Sequence, residues 1–385
     1  MTSAVEQNII RFIKNHNLLV EGDKLLIAFS GGPDSLFALW FFNKFQSKFK
    51  ISIAALHINH SLREKDSDED ERFCELYCKE NKIEFFSEKV DVKSFADENK
   101  QSIEEAARNI RYTKFNEFAT KLNATKIVTA HNLDDNTETV LLNLLRGSGL
   151  KGLGGIPIQR DNIIRPLLST SKKDVLEILD ENNIKFRIDK SNLESDFSRN
   201  YLRNEILPKL KEKINPALDL NIQRFSEIAK ESNTIINSIA EDISSKFIVK
   251  TEKGLDISEK LTEGKNEKYF NIVVRQSIER AFNIVPTFED VLQIKNLFEL
   301  QVGGKINLSE KLFAIRERNY INITRDLKLT SENKEHELYL NRKLEIDGKV
   351  FFAEISNKDE SNFSTQNNVE YINGDFLTFP LKIRK

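Results

Sequence analysis

From residue 24 onward the chain repeats one pattern, a short apolar run rich in β-branched residues followed by a longer amphipathic stretch. The runs are 25–29, 51–58, 83–90 and 126–130, and the stretches between them lie near 35–48, 67–81, 103–122 and 135–145. Short buried strands alternating with helices imply βαβ units and a mostly parallel, Rossmann-like α/β sheet, with ligands beyond the carboxyl ends of its strands. Ahead of this pattern, Val5, Ile9, Phe12 and Ile13 stand at helical spacing with Glu6 and Lys14 interleaved, which reads as a docking helix and not a signal peptide.

The alternation weakens after Pro166. A further helix is expected over 171–182, with Val175, Ile178 and Leu179 on one face, then a short apolar run at 184–188. Around Pro208 and Pro216 the character changes to long helices, including 220–243, so a boundary is placed near 214. A helix near 288–298 and a strand pair within 306–323, turned at Gly303-Gly304, follow. Beyond a linker-like stretch at 330–337 come strand-like runs at 350–355 and 379–383. The expected division is an α/β domain over 1–213, a mostly helical domain over 214–328, and over 329–385 a linker with the start of a small domain containing strands.

Charged residues make up 31% of the chain and hydrophobic residues 39%, which suits a water-facing globular protein. The formal net charge is -2, so a polyanionic partner must be held by local basic patches and not by the molecule as a whole. No apolar run approaches the ~20 residues needed to cross a bilayer, and no membrane partner is expected. Cys74 and Cys78, the only cysteines, lack the further ligands of a metal site or disulfide framework and read as reduced bystanders in a cytoplasmic protein.

Ser30-Gly31-Gly32-Pro33-Asp34-Ser35 sits directly after the first apolar run and before a helix. Two glycines allow a tight turn and close approach, and successive N–H groups at a helix start form an anion nest suited to phosphate. Ser30 and Ser35 add hydroxyls, Pro33 presets the first helical φ, and Asp34 is placed to hold a metal ion bridging phosphates. The competing account is a capped strand-to-helix turn, which needs one glycine and a cap but not this whole run. The run lacks the Gly-Lys-Ser/Thr ending of a Walker loop.

This hexapeptide resembles the Ser-Gly-Gly-X-Asp-Ser signature of the PP-loop ATP pyrophosphatases, which cleave ATP to AMP and pyrophosphate. Within that superfamily the motifs from about 24 to 208 resemble the tRNA(Ile)-lysidine synthases. His57-Ile58-Asn59-His60-Ser61-Leu62-Arg63 is similar to a family segment at the end of the second strand, and by fold geometry it lines the adenine and ribose side of the cleft. The stretch 102–112 is similar to the family's Glu-X-Ala-Arg-X-X-Arg-Tyr helix; Glu104 and Arg108 there are spaced to pair on the surface, whereas Arg111 is placed to reach a phosphate or RNA.

Thr129 to Thr139 carries Asp135 and Glu138, three apart on one helix face, a pair that can grip an ammonium group. Acidic residues also favour helix N-termini, with Asp134 as the expected cap. The family usually shows histidine at Asn132 and glutamine at Asn136, which leaves any role of a second histidine in doubt. Five of the 14 glycines fall within 147–155, beginning with a segment like the family's Arg-Gly-Ser-Gly, and read as a mobile basic loop. Arg165-Pro166-Leu167-Leu168, Asp189-Lys190-Ser191-Asn192 and Arg199-Asn200-Tyr201-Leu202-Arg203-Asn204 match further family runs. Arg199 and Arg203 are spaced to contact phosphates together, or to form a solvated face offset by Glu194 and Glu205.

The resemblance implies a C–N ligase that adenylates the wobble cytidine of a CAU-anticodon tRNA(Ile) with ATP and Mg2+ and then adds L-lysine at C2. It assigns ATP binding to Ser30, Gly31, Gly32, Pro33, Asp34, Ser35, His57, Asn59 and His131, and the metal to Asp34. Lysine falls to Asp135 and Glu138, tRNA to Arg146, Lys151, Arg199 and Arg203, and catalysis to Asp34, Arg111, Asp135, Glu138 and Arg203. A homodimer is left open. The rival readings are a PP-loop tRNA thiolase and a tRNA-binding protein with an inactive nucleotide fold. Residues 371–384 resemble the start of the family's last domain, from which a chain ending there is expected to keep ATP binding while modification suffers.

Overall fold

The protein is described here by a computed structural model covering residues 2–61, 64–187, 198–325, 335–346, 348–355 and 377–384. Residues 62–63, the 189–192 run, Glu194, most of the 330–337 linker and 371–376 therefore lie outside the described residues. The chain divides into two compact units, Met1–Ile235 and Ile236–Lys385, a division later than the 214 boundary read from sequence.

The first unit is the expected α/β sheet. Its elements are α1 (Ala4–Asn15), β1 (Lys24–Ala28), α2 (Pro33–Phe49), β2 (Ser52–Asn59), α3 (Glu64–Glu80), β3 (Glu84–Lys89), α4 (Val92–Asn99), α5 (Ile103–Lys121), β4 (Lys126–Val128), α6 (Leu133–Leu145), α7 (Leu150–Leu153), β5 (Gln159–Arg160), β6 (Ile163–Ile164) and α8 (Lys172–Glu181). After them come α9 (Ser198–Tyr201), a π-helical stretch (Leu202–Ile206), α10 (Leu207–Lys213) and α11 (Leu218–Phe247), which runs on into the second unit.

The sheet order is β3-β2-β1-β4-β6-β5, parallel except for the antiparallel edge strand β5. Strand order reverses between β1 and β4, so the segments leaving them part and open a crevice at their carboxyl ends. Helices cover both faces. Ile27, Phe37, Phe41 and Val175 belong to a core on one side, with α1, α2 and α8; Leu26, Leu56, Phe115 and Phe118 form the other, with α5. The 184–187 run forms no strand: Arg187 donates its backbone N–H to Gly31 O at 3.0 Å and ties this segment to the loop after β1.

In the second unit the end of α11, α12 (Phe270–Phe282) and α13 (Phe288–Leu297) pack on one antiparallel sheet. Its strands are β7 (Ile248–Thr251), β8 (Gly254–Ser258), β9 (Lys305–Asn307), β10 (Phe313–Arg316) and β11 (Tyr320–Thr324), in the order β7-β8-β11-β10-β9. The expected strand pair is thus part of a five-stranded sheet. The β7–β8 hairpin escaped the sequence reading because only Ile248, Leu255 and Ile257 of its apolar positions are buried, with lysines and glutamate between them. Strands β12 (Glu335–Leu338) with β15 (Leu381–Arg384), and β13 (Lys343–Ile346) with β14 (Lys349–Phe352), make two small antiparallel pairs.

Candidate active site

The loop after β1 takes its shape from its own hydroxyls. Ser35 Oγ donates to Gly32 O at 3.0 Å and accepts the Ser30 N–H at 3.1 Å, and the Ser30 and Ser35 hydroxyls meet at 3.0 Å. Gly31 adopts φ +80°, and a Cβ there would come within 3.2 Å of Cys74 Sγ and 3.3 Å of Phe73, so conformation and space both demand glycine. Pro33 opens α2, and its N-cap Gly32 offers no side-chain cap, which leaves the leading N–H groups to an anion.

Asp34, in the first turn of α2, is where three segments meet. Its Oδ1 accepts from Asn132 Nδ2 at 2.9 Å and its Oδ2 from Lys172 Nζ at 2.5 Å. Asn132 caps α6 through Asp135 N–H, and Asp135 Oδ2 accepts the Asn132 N–H in return. The cap is therefore Asn132 and not Asp134, because Asp134 turns instead to the Lys172 backbone N–H at 2.7 Å and to Lys211 at 3.2 Å. Asn136 Oδ1 accepts the Ile156 N–H at 2.8 Å, and Asn143 Nδ2 donates to Gly152 O at 2.8 Å; the glycine-rich stretch so tethered contains the helical turn α7 and is not open loop throughout. Arg146 and Lys151 lie on its exposed side.

Asp135 and Glu138 do share one face of α6, and Glu138 is 1% exposed. They meet Arg199 and Arg203 there. Arg199 reaches Glu138 at 2.9 Å and Asp135 at 3.3 Å, while Arg203 reaches Asp135 at 3.1 Å and both Glu138 oxygens, the longer contact at 2.8 Å. The two arginines expected on phosphates are thus paired with carboxylates, and Glu205 pairs with Lys209 instead. Burial pushes the Asp135 carboxyl above its ordinary range, with Arg199 and Arg203 acting the other way.

The segment after β2 is largely structural. Asn59 Nδ2 donates to Glu71 at 2.8 Å and Asp68 at 3.2 Å, and Asn59 Oδ1 accepts the Ser61 N–H, pinning the strand end to α3. His57 Nδ1 donates to Phe29 O at 2.9 Å, and burial lowers its pKa. Arg111, exposed on α5, lies 3.4 Å from His60 Nε2, and His60 Nδ1 is buried without a partner among the described residues. Burial, with Arg111 beside it, brings His60 down to about 4, and burial with the charges of Arg165, Arg199, Arg108 and Arg111 brings His131 to about 3.

These histidines have a measurable consequence. Each stays neutral in the fold but titrates near 6.5 once unfolded, so as pH falls below about 6.5 the unfolded state gains protons first and stability drains until the folded pKa values are reached. Denaturant midpoints of wild type and His131→Gln should therefore diverge between pH 6.5 and 4, wild type losing more; parallel curves would refute the assignment.

Sequence reasoning missed Lys172, and it met Arg165 and Tyr112 only inside family-like runs, without giving either a role. Cys74 and Cys78 are buried beneath the loop, and burial pushes both thiols up, Cys78 to about 12. Among the described residues no helix is long and apolar enough to cross a membrane.

Comparison with known proteins gives this geometry a lineage. A family model described as a PP-loop domain matches residues 1–210, and the chain is 34% identical to a tRNA(Ile)-lysidine synthase of Clostridium tetani over 90% of this chain and 74% of the relative. The chain belongs to the tRNA(Ile)-lysidine synthase family. Similar lysidine synthases include that of Persephonella marina, 35% identical over 81% of this chain and 68% of its own, and that of Thermosipho africanus, 41% identical over 60% and 53%. A solved U34-tRNA thiolase from Methanococcus maripaludis shares 18% identity at a TM-score of 0.48, over 58% of this chain and 79% of that one. The PP-loop domain of this lysidine synthase relative is an ATP-using one.

Proposed function

We propose that this protein joins L-lysine to C2 of the wobble cytidine in a CAU-anticodon tRNA(Ile), a ligase reaction that changes decoding from AUG to AUA. One observation carries the reading: Asn132 bonds both Asp34 of the phosphate loop and Asp135 of the carboxylate pair, so nucleotide and amine chemistry share one crevice.

The C2 oxygen of cytidine is a poor leaving group. Its attack on the α-phosphate of ATP forms the adenylated base and releases pyrophosphate, whose charge the N–H groups of Gly31, Gly32, Asp34 and Ser35 and the Lys172 ammonium neutralise. The ε-amine of lysine then attacks C2, and the C–O bond to AMP breaks. Asp135 and Glu138 hold that amine, replacing contacts now made by Arg199 and Arg203, and Asp135 takes a proton on the way. Magnesium on nucleotide phosphates needs only one or two carboxylates, and Asp34 supplies one when Lys172 yields Oδ2, so the donor set fits the ion. Bound there, it would add positive charge against the departing pyrophosphate. The buried thiols favour lysine addition over sulfur transfer.

The test is incubation with tRNA(Ile), ATP and labelled lysine. Label in the RNA, dependent on ATP and absent with an elongator tRNA(Met), is the expected result; label-free RNA alongside AMP production would reject lysine as co-substrate.

A further inference from the structure

Three arginines gather around one tyrosine of α5, beside strands β5 and β6. Arg108, one turn before Tyr112 on α5, sets its guanidinium carbon 5.4 Å from the ring centroid, and Arg160 on β5 sets its own at 5.9 Å. Arg165 follows β6 directly, is 3% exposed, and donates from Nη1 to Pro157 O at 2.7 Å, while its Nε–H is buried without a partner. Burial lowers the Arg165 pKa, and the neighbouring Tyr112 hydroxyl acts the other way.

Among the described residues no carboxylate pairs with Arg111, Arg160 or Arg165, whereas Arg187, Arg199 and Arg203 each hold two. Concentrated like charge without a counter-ion is costly unless an anion arrives. Stacking on a ring orients the guanidinium fork for phosphate before any ligand binds.

We propose that Arg108, Arg160 and Arg165, arranged around Tyr112, form a second anion site that holds a backbone phosphate of the RNA beside the target nucleotide. The inference rests on the RNA substrate of the proposed function. Position separates this site from ATP. In the order β3-β2-β1-β4-β6-β5 the phosphate loop follows β1, Arg165 follows β6 and Arg160 sits on edge strand β5. At about 4.8 Å per strand these lie roughly 10 and 14 Å from the loop. A triphosphate seated after β1, with its base toward β2, runs away from the arginines, and a polynucleotide entering over the β5 edge passes across them.

Arg108 and Arg160 are exposed, so Arg108→Gln and Arg160→Gln should fold normally. RNA affinity of the full chain for tRNA(Ile) would be measured across a salt series, and ATP–pyrophosphate exchange beside it. Each variant should weaken RNA binding and flatten the slope of log affinity against log salt by about 1, the signature of one lost phosphate contact, with the KM for ATP unchanged. Arg160→Lys should restore the slope but not the full affinity, since it keeps charge and loses the fork. Wild-type slopes in both glutamine variants overturn the inference alone. A raised KM for ATP with unchanged RNA binding would give the site to the nucleotide and overturn it too. No RNA binding by the unaltered protein would instead sink the proposed function and this inference with it.

Discussion

Glu138→Ala is expected to remove at least ~100-fold of lysine transfer to RNA and about 3 kcal/mol of stability. Glu138 is almost fully enclosed and receives hydrogen bonds from Arg199 and Arg203. Deleting one member of a buried ion pair strands the others, normally at 3–5 kcal/mol; the lower end applies because both guanidiniums remain 36% exposed and water relieves them. Glu138→Gln keeps the volume and some of the hydrogen bonds, so it separates chemistry from folding. It should unfold near the wild-type midpoint, keep tRNA-dependent ATP cleavage, and raise the KM for lysine while lowering transfer. A glutamine variant with wild-type lysine dependence would show that the carboxylate pair belongs to Arg199 and Arg203 alone.

The second large effect is expected at Asp34. Asp34→Ala should cut ATP–pyrophosphate exchange by ~10²–10³, the scale for losing a charged group at a phosphoryl transition state, with little change in stability. The difference follows from exposure: the Asp34 and Lys172 side chains are 27% and 35% exposed, so their pair is worth no more than ~1 kcal/mol to the fold. Lys172→Met should cost less, about tenfold to a hundredfold, because the backbone N–H groups of the loop still face the phosphates. The double variant should fall short of the product of the two, since each single change already breaks the same contact. Unchanged exchange in Asp34→Ala would remove Asp34 from the adenylation machinery.

What could be read from the sequence was whatever is local along it. The four apolar runs became β1 to β4, the hexapeptide became the turn from β1 into α2, and the three-residue spacing of Asp135 and Glu138 put them on one face of α6. The partners of those residues were not legible, because they come from far along the chain. Asp34 meets Asn132 and Lys172 across 98 and 138 positions, and no periodicity encodes which side chain a crossover will deliver. Arg199 and Arg203 read as phosphate contacts, or as a face offset by Glu194 and Glu205, for the same reason, since their counter-charges lie 61 to 68 residues earlier. The departure at Asn132, read as a lost histidine, is a gained amide that caps a helix and braces Asp34 in one stroke.

Cys74 stands directly behind Gly31, and neither it nor Cys78 has a route to solvent while α3 stays seated. The chain therefore contains its own stopwatch for motion at the nucleotide loop. Modification of these sulfurs by an alkylating reagent has to wait for that wall to swing away, so the rate of labelling counts how often it does. Occupancy of the loop in front should slow the count.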